Sequence, residues 1–431
     1  MFGLFKNKSD KPTVTPEDKE WVEQVMIWLI ESFGMDGLKK LPFILPTPKQ
    51  FPYSDLNDLE QFQKLFEKLC KHLEVDSNTI IVKFFDDIFS KQWTNWMPLG
   101  TIHEEVSEIV VLDSRNEKQF QIQLAKSNLK DPELLVAVIV HELVQVKLIG
   151  GEYITQQDLN LEAITDLASI YFGFGIFIAN TCESKGSYWV KRIGYLSEPV
   201  ISYSSALICY ITGRDYRNYI DFLNDNTKFL FRQDCEFLIN TDDTELTEDR
   251  LAESEIIYDI TCKIENNLLK GNHDAVIEAA YLRLKKIPKD RYSYNTIGYS
   301  LIQQKKYDEA IIQLTKAIEI DHYWPISFTD RGYCNLQLGN IENAFTDIHS
   351  AFQMDPQNYT MIRNMGAYYL KVENFTKALD YFEKALLLNP KTELINFYLG
   401  HTHLKMGNED QAKLYFEKSV ELNEYNDSLI K

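Results

Sequence analysis

The chain has 431 residues, 45% of them hydrophobic, and a formal net charge of -19. That length calls for two or three domains with an ample core, and the hydrophobic content excludes a chain disordered throughout. The acidic balance, with no run of Lys and Arg, excludes general binding to a nucleic-acid backbone.

Residues 1–16, opening MFGLF, are expected to be a disordered, frayed terminus. Helical spacing of Trp21, Val25, Trp28 and Leu29 predicts a helix over 17–33. The stretch LPFILPTPKQFPYS (41–54) is too rich in proline for a helix and reads as extended connection. Residues 55–75 place Leu59, Phe62, Leu65, Phe66, Leu69 and Leu73 on one face of an amphipathic helix. Strand-like runs follow at 78–85, 105–113 and 118–125, the last two turning at SRNE (114–117) into a hairpin. In KDPELLVAVIVHELVQVKLIGG (130–151), Asp131 is the expected cap and Pro132 the first helical residue. This helix is apolar nearly all round, hence buried, and ends at Gly150 and Gly151. A second apolar helix starts near Gln156 and runs through LNLEAITDLASIYFGFGIFIAN (159–180). Residues 186–223 continue mostly helical, with one helix opening at Ser197 or Glu198 and closing near Gly213. The polar stretch NTDDTELTEDRLAES (240–254) marks the domain boundary, with an acidic linker over 236–253.

The six cysteines form no CxxC pair. That excludes a zinc ribbon and a thioredoxin motif, and fits a reducing, cytoplasmic setting. No stretch of about 18 uninterrupted apolar residues predicts a membrane span.

The two apolar helices carry the candidate chemistry. Positions i and i+4 of a helix share a face, so His141 and Gln145 aim at one spot, with Glu142 beside them. Glu162 and Asp166 stand one turn apart on the next helix. Two such helices can supply metal ligands, with Glu142 as the base that takes a proton from metal-bound water. A second His-Glu pair, His103 and Glu104, lies in strand-like surroundings and carries no weight by itself.

Strands, a His-Glu helix and then a helix with Glu-x-x-x-Asp resemble the gluzincin class of zinc metallopeptidases, especially compact bacterial members fused to other modules. The resemblance spans roughly residues 75–215 and implies an α+β, minimal metallopeptidase-like domain over 17–235. By that resemblance Glu162 takes the place of the third zinc ligand. Asp166 takes that of the carboxylate that orients a ligand histidine, and Tyr195 stands at the site's edge. Gln145 departs from the His-Glu-x-x-His pattern, and its amide oxygen is a weak, neutral ligand for zinc. Losing one of three good ligands costs several kcal/mol out of the about 10–16 kcal/mol that a structural zinc site gains. Three states stay open: an empty relic in which His141 pairs with Asp166 or Glu162, a weak or unusual metal site that recruits His103, and a helix never built for metal in which His141 is a satisfied core histidine.

The C-terminal half repeats. Gly298, Gly332, Gly366 and Gly400 are 34 residues apart, and Ala310, Ala344, Ala378 and Ala412 follow in phase. A second small-residue series is Ala317, Ala351, Ala385 and Ser419, with Leu314, Ile348, Phe382 and Phe416 three residues before it. The pattern resembles the tetratricopeptide repeat, an all-α solenoid of paired helices that must stack to bury their faces. Units are expected at 291–324, 325–358, 359–392 and 393–431, preceded by a degenerate, capping unit at 254–290.

The resemblance implies a concave face lined by the first helix of each unit: Asn295, Tyr299, Gln303, Thr329, Tyr333, Gln337, Arg363, Lys371, Phe397, His401 and Lys405. Arg363, Lys371 and Lys405 suit an acidic tail or C-terminal carboxylate. The expected function is a cytoplasmic scaffold that binds a protein or peptide, with an inactive peptidase-like domain. The alternative is a zinc metallopeptidase using His141, Glu162 and Gln145, with Glu142 as base, whose repeats recruit substrate. No cofactor is expected, and zinc is the one the ligand pattern allows.

Overall fold

A computed structural model describes residues 11–40, 43–52, 56, 58–85, 107–114, 117–155, 158–181, 184–186, 189–191, 195–389 and 394–421. The pair His103 and Glu104 and the predicted frayed tip 1–10 lie outside the described residues. The chain divides into two compact units, residues 1–111 with 120–258, and residues 112–119 with 259–431.

In the first unit α1 (Pro16–Phe33) is capped by Thr15, whose hydroxyl accepts from the Asp18 N–H. The fraying expected up to residue 16 does not extend to residues 13 and 14. Val14 is buried, and the Thr13 N–H and hydroxyl both donate to Asp234, each at 2.7 Å. After α2 (Met35–Lys40), α3 (Leu59–Leu73) buries the predicted stripe except Leu59, which stays exposed. Strands β1 (Ile80–Phe85), β2 (Ser107–Ser114) and β3 (Glu117–Ala125) form a sheet in the order β1-β3-β2. The expected neighbours β2 and β3 are adjacent, and β1 joins β3 in parallel, Ile80 opposite Phe120 through Phe85 opposite Ala125.

The helix α4 (Pro132–Gly150) opens as its sequence requires: Asp131 accepts from the Leu134 N–H, and Pro132 has no N–H to leave without an acceptor. The second apolar helix is not continuous. It is α5 (Leu161–Ser169), a wide turn at Ile170–Phe174, then α6 (Gly175–Thr181). Gly173 breaks it with φ +98°, a conformation glycine adopts without a Cβ penalty. The freed carbonyls find other donors: His72 Nε2 at 3.0 Å on Phe172, and the Ile44 N–H at 2.8 Å on Gly173. The stretch Leu161–Thr181 is long and apolar enough to cross a membrane, but 78% of its apolar window is packed inside the unit.

A short antiparallel pair, β4 (Ser184–Gly186) and β5 (Trp189–Lys191), precedes α7 (Glu198–Thr212) and α8 (Asp225–Thr241). The expected linker at 236–253 is corrected. Its first residues belong to α8, and from Glu248 it belongs to α9 (Glu248–Leu269). The residues between are pinned, because buried Glu23 accepts from the Glu245 N–H at 3.0 Å and from the Tyr203 hydroxyl at 2.7 Å. Arg250 pairs with buried Glu31 at 2.8 Å. Local polarity was solvating one helix face, and the boundary falls inside α9, between Tyr258 and Asp259.

The second unit continues as α10 (His273–Lys286), α11 (Arg291–Gln303), α12 (Tyr307–Ile320), α13 (Pro325–Leu338), α14 (Ile341–Met354), α15 (Tyr359–Lys371), α16 (Phe375–Leu388), α17 (Ile395–Lys405) and α18 (Glu409–Glu421). Helices pair within each repeat, and α13, α15 and α17 each stack on the helix before them. The periodic glycines mark where paired helices cross. A Cβ on Gly298, Gly332, Gly366 or Gly400 would stand 2.6–2.8 Å from Leu314, Ile348, Phe382 or Phe416. Those four partners are the large residues of the second helix, so each glycine and its partner form one contact.

Candidate functional site

Helix α5 lies against the middle of α4, and its carboxylates Glu162 and Asp166, one turn apart, reach the two ring nitrogens of His141. His141 Nδ1–H donates to Asp166 Oδ1 at 2.9 Å, and Nε2–H donates to Glu162 Oε2 at 2.7 Å. Gln145, one turn further along α4, places its side-chain nitrogen 3.2 Å from His141 Nε2. Turned over, the same amide offers its oxygen to that N–H, which is the better match. Asp166 is buried, and its second oxygen accepts the N–H groups of Tyr195 at 2.7 Å and Leu196 at 3.2 Å. Burial alone would lower the His141 pKa, but the hydrogen bonds to Asp166 and Glu162 outweigh it and hold the imidazole well above its ordinary value.

The sequence thus brought His141, Gln145, Glu162 and Asp166 to one place, with Glu142 buried beside them on α4. The Tyr195 side chain, expected at the site's edge, is largely exposed, and it is its peptide N–H that holds Asp166. Side-chain patterns do not report peptide donors, so this cradle carried no sequence signal beyond the helix start at Ser197. As a metal site the cluster offers two strong donors, His141 Nε2 and Glu162, already bonded to each other. Among the described residues no three His, Cys, Asp or Glu side chains are grouped to hold a metal ion.

Along the repeats, Tyr299, Gln303, Lys371 and Lys405 are exposed, and Asn295, Tyr333, Gln337, Arg363 and His401 are half-buried. Two expected surface residues are corrected. Thr329 is buried, and Phe397 is buried with its ring 6.0 Å from that of Phe416. Both positions face the neighbouring helices rather than solvent. Asn295 is engaged too, accepting from the Ser327 hydroxyl at 2.7 Å. Burial, and then the Lys405 charge, push the His401 pKa down, so this position is a neutral donor or acceptor.

Tetratricopeptide-repeat models match residues 292–322, 363–392 and 395–426, and the array carries tetratricopeptide repeats. Among solved structures, MamA is 21% identical, covering 38% of this chain and 90% of that one with a TM-score of 0.31. MamA 41-end from Desulfovibrio magneticus RS-1 is 17% identical over 39% of this chain and 95% of its own, TM-score 0.33. A thermophilic TPR protein of Thermus thermophilus, TTC0263, is 18% identical over 38% and 89%, TM-score 0.34. No curated protein matches the chain.

Proposed function

We propose that the chain is a cytoplasmic interaction scaffold that takes a protein or peptide along the concave face of its repeats, beside a metallopeptidase-like domain that does no catalysis. The matched tetratricopeptide repeats carry the first part, because stacked helix pairs present one extended face that a single pair lacks. Exposed Tyr299, Gln303, Lys371 and Lys405 support a ligand with an acidic side chain or a free C-terminal carboxylate.

The second part rests on His141, whose two ring nitrogens are both spent on carboxylates. A metal at Nε2 has to displace the Glu162 hydrogen bond, and Gln145 adds only a neutral amide oxygen in return. This donor set does not fit a stable zinc centre, and no step through Glu142 follows. The zinc-peptidase reading has one observation in its favour. His141, Gln145 and Glu162 converge, and Asp166 stands behind the imidazole as a carboxylate that orients a metal-binding histidine does.

Metal content by mass spectrometry separates the two readings. The scaffold reading expects a metal-free wild type and metal in Gln145→His. About one zinc per wild-type chain, lost in Gln145→Ala, overturns it in favour of the altered peptidase. For the concave face, peptides ending in an acidic residue and a free carboxylate are expected to lose binding in Lys371→Glu with Lys405→Glu. Retained binding moves the ligand off that face.

A further inference from the structure

Each helix pair in the array is covered by the first helix of the next pair, and among the described residues α17 and α18 are the pair with no successor. The 34-residue register shows what this leaves open. Phe416 is half-buried where Leu314, Ile348 and Phe382 are fully buried. Val420 is 65% exposed where Ile318 is buried and Phe352 and Leu386 are partly buried. Leu404 is 50% exposed where Leu336 is buried and Ile302 and Leu370 are partly buried. These residues floor an open groove of about 790 Å³ whose rim carries Glu409, Glu417 and Glu421 against Lys413.

We propose that this groove docks an amphipathic helix of a partner protein, its apolar stripe flanked by Lys or Arg. The shape argues for a helix, since α13, α15 and α17 fill the equivalent places on α12, α14 and α16. The charge argues for its sign: three carboxylates face one ammonium on the rim, on a chain of net charge -19. A second copy would set the same carboxylates against themselves across a two-fold axis, which disfavours self-pairing there. The surface is separate from the concave face and does not depend on it.

The test is fluorescence anisotropy with a labelled helical peptide of about 18 residues, Leu on one face and Lys on both flanks, and a twin with Glu for Lys. The full chain is expected to bind the Lys peptide and to bind the Glu twin at least about tenfold more weakly. Leu404→Asp with Val420→Asp is expected to weaken the Lys peptide about tenfold or more, although it makes the protein more acidic. General attraction of a cation to an acidic protein would strengthen instead, so unchanged or tighter binding overturns the proposal. Glu409→Lys with Glu417→Lys leaves the apolar floor intact, and its expected effect is a reversed preference between the twins. A dimer that the Asp variant splits assigns the groove to a second copy and overturns the proposal. So does binding seen only after residues 422–431 are removed, which assigns it to the chain's own end.

Discussion

In the repeat array one contact is made four times: a glycine on the first helix of a pair receives a large side chain from the second. In the N-terminal unit the decisive contacts are each made once: Asp166 with His141 and two peptide N–H groups, Glu23 with Tyr203, Asp234 with Thr13. The difference is one of redundancy. A repeated contact announces itself as a period in the sequence, and its loss is local. A single contact leaves no period, and no other repeat restates it.

The comparison breaks most visibly at Asp166. Truncation in Asp166→Ala leaves the Nδ1–H of His141 and the N–H groups of Tyr195 and Leu196 without their acceptor. Breaking one side of a buried ionic network costs about 3–5 kcal/mol. Hydrogen exchange is expected to speed up across α4, α5 and α7 while α13–α16 keep their protection. If the repeats lose protection equally, the two units do not store stability separately.

A second single link responds to pH. Burial raises the Asp234 pKa to about 7, and the two hydrogen bonds from Thr13 only partly oppose it. The folded chain therefore holds a proton that the unfolded chain has released between about pH 4 and 7. Stability from this group is complete below pH 4 and falls as pH rises towards 7, by on the order of 2–4 kcal/mol. Asp234→Asn cannot titrate and still accepts from the Thr13 N–H. Its stability relative to wild type is expected to rise across that window, measured by urea unfolding. A constant difference places the Asp234 pKa in the ordinary carboxylate range.

In the array, Gly332→Val asks how local a repeated contact is. The new Cβ lies 2.7 Å from Ile348 and 3.2 Å from its backbone nitrogen, so the paired helix has to shift. Overpacking of this kind costs about 1–3 kcal/mol. Protection is expected to fall in α13 and α14 and to survive in α17 and α18. A uniform loss across all repeats shows that the array unfolds as one block.

Legibility in the sequence follows the same division. The repeat phase placed Gly298 to Gly400 and their partners correctly, because every unit restates the pattern. The bounds of α4 were legible from Asp131, Pro132 and Gly150, where the backbone demands particular residues. Helical spacing paired His141 with Gln145 and Glu162 with Asp166, and the convergence of the two pairs was what the gluzincin resemblance implied. The break at Gly173 was hidden, since an apolar run reads the same in one helix or two, and only distant His72 and Ile44 reveal where its carbonyls go. The acidic stretch near 245 misled for a related reason: its ties to Glu23 and Glu31 come from residues more than 200 positions away. Phe397 and Thr329 were misplaced because phase gives a position in the repeat, and neighbours decide whether that position is covered.

The smallest expected effect separates the repeats from one another. The turn inside each pair needs one residue in the left-handed region, at Gly271, Lys305, Gly339, Glu373 and Gly407, with φ between +59° and +81°. Three repeats meet this with glycine, and two hold a side chain there against its preference. Lys305→Gly and Glu373→Gly are each expected to stabilise the array by about 0.5–1 kcal/mol, since a Cβ in this region costs roughly 1–2 kcal/mol and glycine's greater unfolded-state freedom takes part of that back. Gly339→Ala is expected to move thermal unfolding the opposite way by a similar amount. Open space surrounds the Gly339 position, so the change there is conformational and not steric. If both glycine variants leave the melting temperature unchanged, these turns are held by their side chains, and the five positions are alike in shape but not in energy.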